Sequence, residues 1–295
     1  MKRLLPSFLF LILTAPLCFG LEDFHFSIAP RLSFTFGELN EILYASDDTI
    51  VSQLDWEEKA LFDIGLSSNV VLNNFILGAA FDYSIPAGTS YMYDSDWEDE
   101  KKYSLTEHPI KKSINLSSEI SAAYKIPVNQ KLSVLPQLKF DYFYNDFEAD
   151  KGSGWRNGRD IKVYGIDYKR HSFFIFTGLA VNIDFNQLFS LSTDFALAPW
   201  GYQYSFDHHH GVKHPFSTEG KQYSLFTKYK ADINADFHIT SLFTLQSFTS
   251  LIFGFPDKGV IYTDYYSSSL EEASNQKGGS AIHSIKTGIA AVFSF

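Results

Sequence analysis

Cysteine is almost missing from this chain: Cys18 is the only one, and no thiol follows it. The stretch around it explains why. Met1-Lys2-Arg3 is a short basic start, and Leu4 to Leu17 is a mostly apolar run broken by Pro6 and Pro16. Cys18-Phe19-Gly20 then places small residues where a signal peptidase reads, so residues 1–20 are expected to be a cleaved signal peptide. Cys18 leaves with it, and residues 21–295 are left without disulfide or thiol chemistry. A second long apolar run is also lacking, which excludes a transmembrane helix. Cations are outnumbered, with a net charge of −10, which argues against nucleic acid and favours cationic peptides as partners. Methionine and tryptophan are scarce, at 2 and 4, whereas 29 Phe and 17 Tyr are present. That aromatic bias suits strands with interfacial girdles.

The end of the chain alternates. Ile285, Thr287, Ile289, Ala291, Phe293 and Phe295 fall on one side, and Ser284, Lys286, Gly288, Ala290, Val292 and Ser294 on the other. A period of two with an apolar stripe and a terminal aromatic predicts a strand that faces lipid. Similar patterns predict ten strands, at about 24–41, 52–68, 73–86, 112–126, 131–147, 161–183, 188–204, 222–238, 241–254 and 280–295. The 222–238 pattern is the clearest, with Lys228, Lys230, Asp232 and Asp236 on a face that a lumen tolerates and lipid does not. Connections alternate between short, near Asn69–Asn73, Pro127–Gln130, Asp184–Gln187 and Ile239–Thr240, and long, at about 42–51, 87–111, 148–160, 205–221 and 255–279. The expected fold is therefore all-β: a ten-stranded antiparallel transmembrane β-barrel, one domain over residues 21–295, with its long loops outside the cell.

Two pairs with i, i+2 spacing stand at loop bases: Asp94 with Asp96, and Asp207 with His209. In extended chain each pair shares a face, so both can point into the barrel mouth. Carboxylates held close raise one another's pKa, and a carboxylate beside an imidazole orients it as a base toward water. A solvated charge run is the bland reading of Asp94 to Glu100. His208-His209-His210 invites a metal, but neighbouring strand residues point to opposite faces and no further ligand spacing completes a zinc set.

At this point the residues resemble the omptins, outer-membrane endopeptidases with a ten-stranded barrel. Val51-Ser52-Gln53-Leu54-Asp55-Trp56 matches the family's second-strand segment, and Met92-Tyr93-Asp94-Ser95-Asp96-Trp97 fits its M-x-D-x-D-W motif. Glu107-His108-Pro109 falls where the family has His-Pro, and Trp200 precedes Asp207 and His209 by the family's spacing. The resemblance implies that Asp207 orients His209, which takes a proton from a water held against Asp94, with Asp96 tuning the charge. It implies no metal and no covalent intermediate. The partners would be extracellular polypeptides with basic residues and outer-membrane lipid, and the barrel a monomer.

Specificity departs from the family. Glu41 matches one acid of the pocket for the residue before the cut, whereas Ser205 stands where the second acid is expected, and Ser104 where the pocket after the cut has one. Losing a carboxylate that pairs with Arg forfeits roughly 1.5–3 kcal/mol, so the basic preference should be weaker before the cut and the choice looser after it. The family's activity generally needs lipopolysaccharide, held by outward basic residues. Lys151, Lys169 and Arg170 lie near the expected outer rim, although none matches a family position one by one. The rival reading is a non-enzymatic barrel serving as adhesin or surface binding protein. A passive pore is a third, disfavoured because ten strands enclose a lumen that side chains fill.

Overall fold

Leu32, Phe34 and Phe36 point outward and are 47%, 43% and 40% exposed, while Ser33 and Thr35 between them are buried. That alternation recurs round the molecule, with Ile64 and Leu66, Phe81 and Tyr83, and Ile285, Ile289 and Phe293 all outward. An apolar exterior around a polar interior is stable only where the exterior meets lipid. The computed structural model describes residues 24–210, 216–264, 271–272 and 276–295. The expected signal peptide lies outside them.

The strands are β1 (Phe24–Ala45), β2 (Ile50–Leu72), β3 (Phe75–Pro86), β4 (Tyr91–Glu98), β5 (Lys101–Tyr124), β6 (Ile126–Pro127), β7 (Leu132–Ala149) and β8 (Gly152–Arg156). They continue as β9 (Arg159–Val163), β10 (Ile166–Asp184), β11 (Phe189–His209), β12 (Phe216–Ser224), β13 (Lys228–His238), β14 (Phe243–Asp264), β15 (Glu271–Glu272) and β16 (Gln276–Ser294). Antiparallel pairing runs β1, β2, β3 with β4, β5, β7, β10, β11, β12 with β13, β14 and β16, and β16 pairs back to β1. β3 with β4, and β12 with β13, each make one interrupted stave. The ring therefore has the ten staves that the alternation predicts.

Charged side chains cross the lumen and line a polar cavity of about 300 Å³ within it. Lys139 pairs with Asp194 at 2.8 Å and Asp232 at 2.7 Å, and Lys230 with Glu119 at 2.5 Å and Asp141 at 2.6 Å. Lys286 and Arg31 share Asp82. Of the four lumen residues expected from the sequence, Asp236 has no cation among the described residues and accepts a hydrogen bond from Gln246 at 2.8 Å.

Several loop expectations need correction. The segment 87–111 is mostly strand: β4 and β5 form a hairpin whose turn residues Asp99 and Glu100 both have positive φ, 48° and 61°. The segment 148–160 holds a second hairpin, β8 with β9, turned at Asn157-Gly158 with φ of 51° and 73°. Both are the mirror-image turn whose twist matches the flanking strands. Expected strand 161–183 is two elements, separated at Tyr164-Gly165. There a side chain on Gly165 would run into the Ala149 carbonyl. Expected strand 222–238 starts at Phe216 and breaks between Ser224 and Lys228. The break serves one buried carboxylate: Asp257 accepts from Ser224, from Thr227 and from Gln203 at 2.6 Å, and pairs with Lys228 at 2.6 Å. The facing strand is irregular at the same height, between Gly254 and Asp257. The sheet thus continues above the apolar band and carries the cleft.

Candidate active site

Two walls of sheet face each other above the membrane. On one, β4 lies between β2 and β5, with Asp94 opposite Leu54 and Thr106, and Asp96 opposite Ser52 and Ser104. On the other, β11 lies between β10 and β12, with Asp207 opposite Tyr168 and Thr218, and His209 opposite Ile166 and Phe216. Extended backbone puts each i, i+2 pair on its inner face, as the spacing predicts. Asp94, Asp96, Asp207, His209 and Glu41 line one cavity of about 400 Å³.

The second wall presents a built dyad. His209 Nε2 lies 2.6 Å from Asp207 Oδ2, and Asp207 is buried. Phe216 stacks on the imidazole at 4.2 Å and 12°, fixing the ring plane. With Nε2 engaged, Nδ1 is the nitrogen left to take a proton. Burial pulls the imidazole pKa down, but the charge and hydrogen bond of Asp207, then Asp94 and Asp96, outweigh it and leave His209 above its usual value. Across the cleft, burial and then the Asp96 charge push Asp94 up to about 7, against the opposing pull of His209 and Arg156. The site therefore holds a carboxyl raised to about 7 facing an imidazole raised above its usual value, both shifts set by burial and by neighbouring charges.

Beneath them Trp56, 0% exposed, Phe147 and Tyr168 form a cluster of near-parallel rings, with Trp56 5.4 Å from Phe147 and 5.2 Å from Tyr168, and Phe147 6.5 Å from Tyr168. This aromatic layer supports the cleft floor. His108 also lines the cavity, buried, between the Thr106 hydroxyl at 3.0 Å and the Asp150 carbonyl at 2.9 Å. Burial lowers its pKa, so it is a neutral support. Glu41 has a buried oxygen, Oε2, without a hydrogen-bond partner, and burial, then Asp207, holds its pKa well above the usual carboxylate range.

Other sequence candidates sit elsewhere. Ser205 is buried and outside the cavity lining, its hydroxyl close against the bare Cα of Gly220. Ser104 is buried too, 3.5 Å from Arg156 Nε. Arg170 is not a rim cation: it is 0% exposed, and its Nη1 donates across the barrel to Ser280 Oγ at 2.9 Å and the Ala281 carbonyl at 3.1 Å. The alternation that turns Lys169 outward turns Arg170 inward. His208 bonds Ser217 at 2.8 Å and stays out of the cavity, whereas His210 lines it beside His209 but is engaged with Asp167 at 2.8 Å. Among the described residues no cluster of three or more His, Cys, Asp or Glu is arranged to hold a metal ion. Arg156, Lys162 and Phe216 line the cavity without having been singled out from sequence. The Asn157-Gly158 turn signal beside Arg156 was the clue available for the first two.

The Omptin family model matches residues 23–293. Among solved structures, the outer membrane protease OmpT from Escherichia coli superposes with a TM-score of 0.81 at 17% identity, over 93% of this chain and 97% of that one. The outer membrane protein OprG from Pseudomonas aeruginosa gives a TM-score of 0.39 at 10% identity, over 92% and 95%. The translocator domain of the autotransporter NalP from Neisseria meningitidis gives 0.37 at 8%, over 98% and 96%. None of the curated proteins compared with the chain matches it.

Proposed function

The chain belongs to the Omptin family and is a bacterial outer-membrane β-barrel of the protease class, and from its cleft we propose that it hydrolyses extracellular polypeptides with a water activated between His209 and Asp94. The observation that carries this reading is the convergence of an Asp94–Asp96 wall and an Asp207–His209 dyad on one cavity. Water sits between Nδ1 of His209 and the Asp94 carboxylate. As it attacks the scissile carbonyl, its proton passes to Nδ1, and Asp207 holds the imidazole in place and stabilises the cation that forms. The imidazolium then gives the proton to the departing amine. Asp96 raises the basicity of Asp94 by repulsion. No covalent intermediate and no metal enter this scheme.

Glu41 receives a basic side chain before the cut. A cation arriving there pairs with the buried carboxyl as it gives up its proton. The protein acts as a monomer, with lipopolysaccharide or another outer-membrane lipid as the expected activator. The test is hydrolysis of fluorogenic peptides rich in Arg and Lys by the barrel refolded in detergent, with and without lipopolysaccharide. His209→Ala should lower kcat by about 10²- to 10⁴-fold. Equal signals from wild type and His209→Ala would favour an adhesin.

A further inference from the structure

The two ends of the cleft are built from opposite kinds of group, an acid at one and cations at the other. One end is closed by β1 and β16, where Glu41 presents its unpartnered buried oxygen. The other is closed by the β8/β9 hairpin, which pairs with β5 and leads into β10. There Arg156 and Lys162 line the cavity. Arg156 is half exposed and held by two long contacts, Nη2 to Asp96 Oδ2 at 3.4 Å and Nε to Ser104 Oγ at 3.5 Å. A guanidinium has five N–H donors in a fork that fits a carboxylate, so this one keeps donors for a second acid. Lys162 is exposed and has no ion pair among the described residues.

A peptide lying extended between the walls points the side chains on either side of a bond in opposite directions. If one enters the Glu41 end, its neighbour is aimed at the hairpin. We propose that the cleft reads charge on both sides of the scissile bond with opposite signs: a basic residue toward Glu41, and an acidic one, Asp or Glu, toward Arg156 and Lys162. This rests on the peptidase reading above and turns the looser choice expected after the cut into a preference for acid. It also gives Arg156 a substrate to hold, beyond its weak pairing with Asp96.

The experiment uses full-length refolded barrel and three quenched peptides that share Arg before the bond and carry Asp, Ser or Lys after it. Wild type should rank them Asp over Ser over Lys, with Asp favoured over Ser by about five- to tenfold at low salt and less at 0.5 M salt, where exposed charges are screened. Arg156→Glu with Lys162→Glu should reverse the order. A wild-type preference for Lys or Ser, or an order untouched by the double variant, overturns the proposal. Affinities of the corresponding reduced-bond peptides, read by fluorescence anisotropy, give the same ranking without chemistry. Ranked binding with no hydrolysis would sink the peptidase reading and leave the charge assignment standing. Hydrolysis without the ranking would do the reverse.

Discussion

Asp94 and His209 set the pH behaviour of the cleft. In the proposed mechanism Asp94 is ionised to hold the water and His209 neutral to accept its proton. The carboxyl, raised by burial and then by Asp96, titrates at about 7, and the imidazole sits above its usual value. Interacting groups titrate as a pair, so kcat/KM should climb along one limb centred at or above pH 7. Asp207→Asn removes the strongest upward pull on the imidazole, and the limb should move to lower pH while the rate falls. The same carboxyl has a cost in stability. Its folded pKa lies above its unfolded one, so folded barrel keeps a proton between about pH 4 and 7 that unfolded chain releases, and the site destabilises the fold increasingly as pH rises through that window. Asp94→Asn should therefore raise the apparent Tm in detergent at pH 8, with the difference vanishing near pH 4. A lower Tm at pH 8 would contradict this account of the buried carboxyl.

At the scale of the elements, the interruption between β12 and β13 depends on Asp257. Removing that carboxylate strands Lys228, which is 0% exposed, as an unpaired buried cation. Asp257→Leu should cost about 3–5 kcal/mol. Adding Lys228→Met should restore much of it, as followed by heat-modifiable mobility on gels at graded temperature. The same break marks the limit of what alternation reveals. A period of two survives across Leu225–Thr227, because Ser224 and Lys228 both face inward, so the pattern reads as one strand while the backbone does not. Tilted strands that rise beyond the bilayer lose their lipid-facing apolar stripe, and β4 and β8 with β9 therefore look like polar loops. The Asn157-Gly158 pair is a turn signal for the β8–β9 hairpin, whereas Asp99-Glu100, at the β4–β5 turn, carries no comparable one. The pairs at 94 and 96 and at 207 and 209 were legible because their spacing is local. Arg156, Lys162 and Phe216 join them through strand pairing that a linear pattern does not encode, and Arg170 shows one residue of phase deciding between rim and interior.

Across the whole molecule, lysines tie the staves together through the lumen. Lys139 links β7 to β11 and β13, and Lys230 links β13 to β5 and β7. These pairs cross the path an ion would take, beside a lumen cavity of about 300 Å³. Refolded wild type should carry no steady current across planar bilayers. Lys139→Ala with Lys230→Ala leaves Asp194, Asp232, Glu119 and Asp141 without their cations, and should lower heat resistance by several kcal/mol and admit current. An open wild-type channel would show that the plug is not as tight as these distances imply. Above the plug, both flanks of the cleft are continuous hydrogen-bonded sheet, anchored on the Trp56 stack. Such flanks do not gape. On the proposed reading, what enters must be slender and already uncoiled, so tails, linkers and frayed stretches of neighbouring proteins, rather than intact folded domains, are the expected substrates.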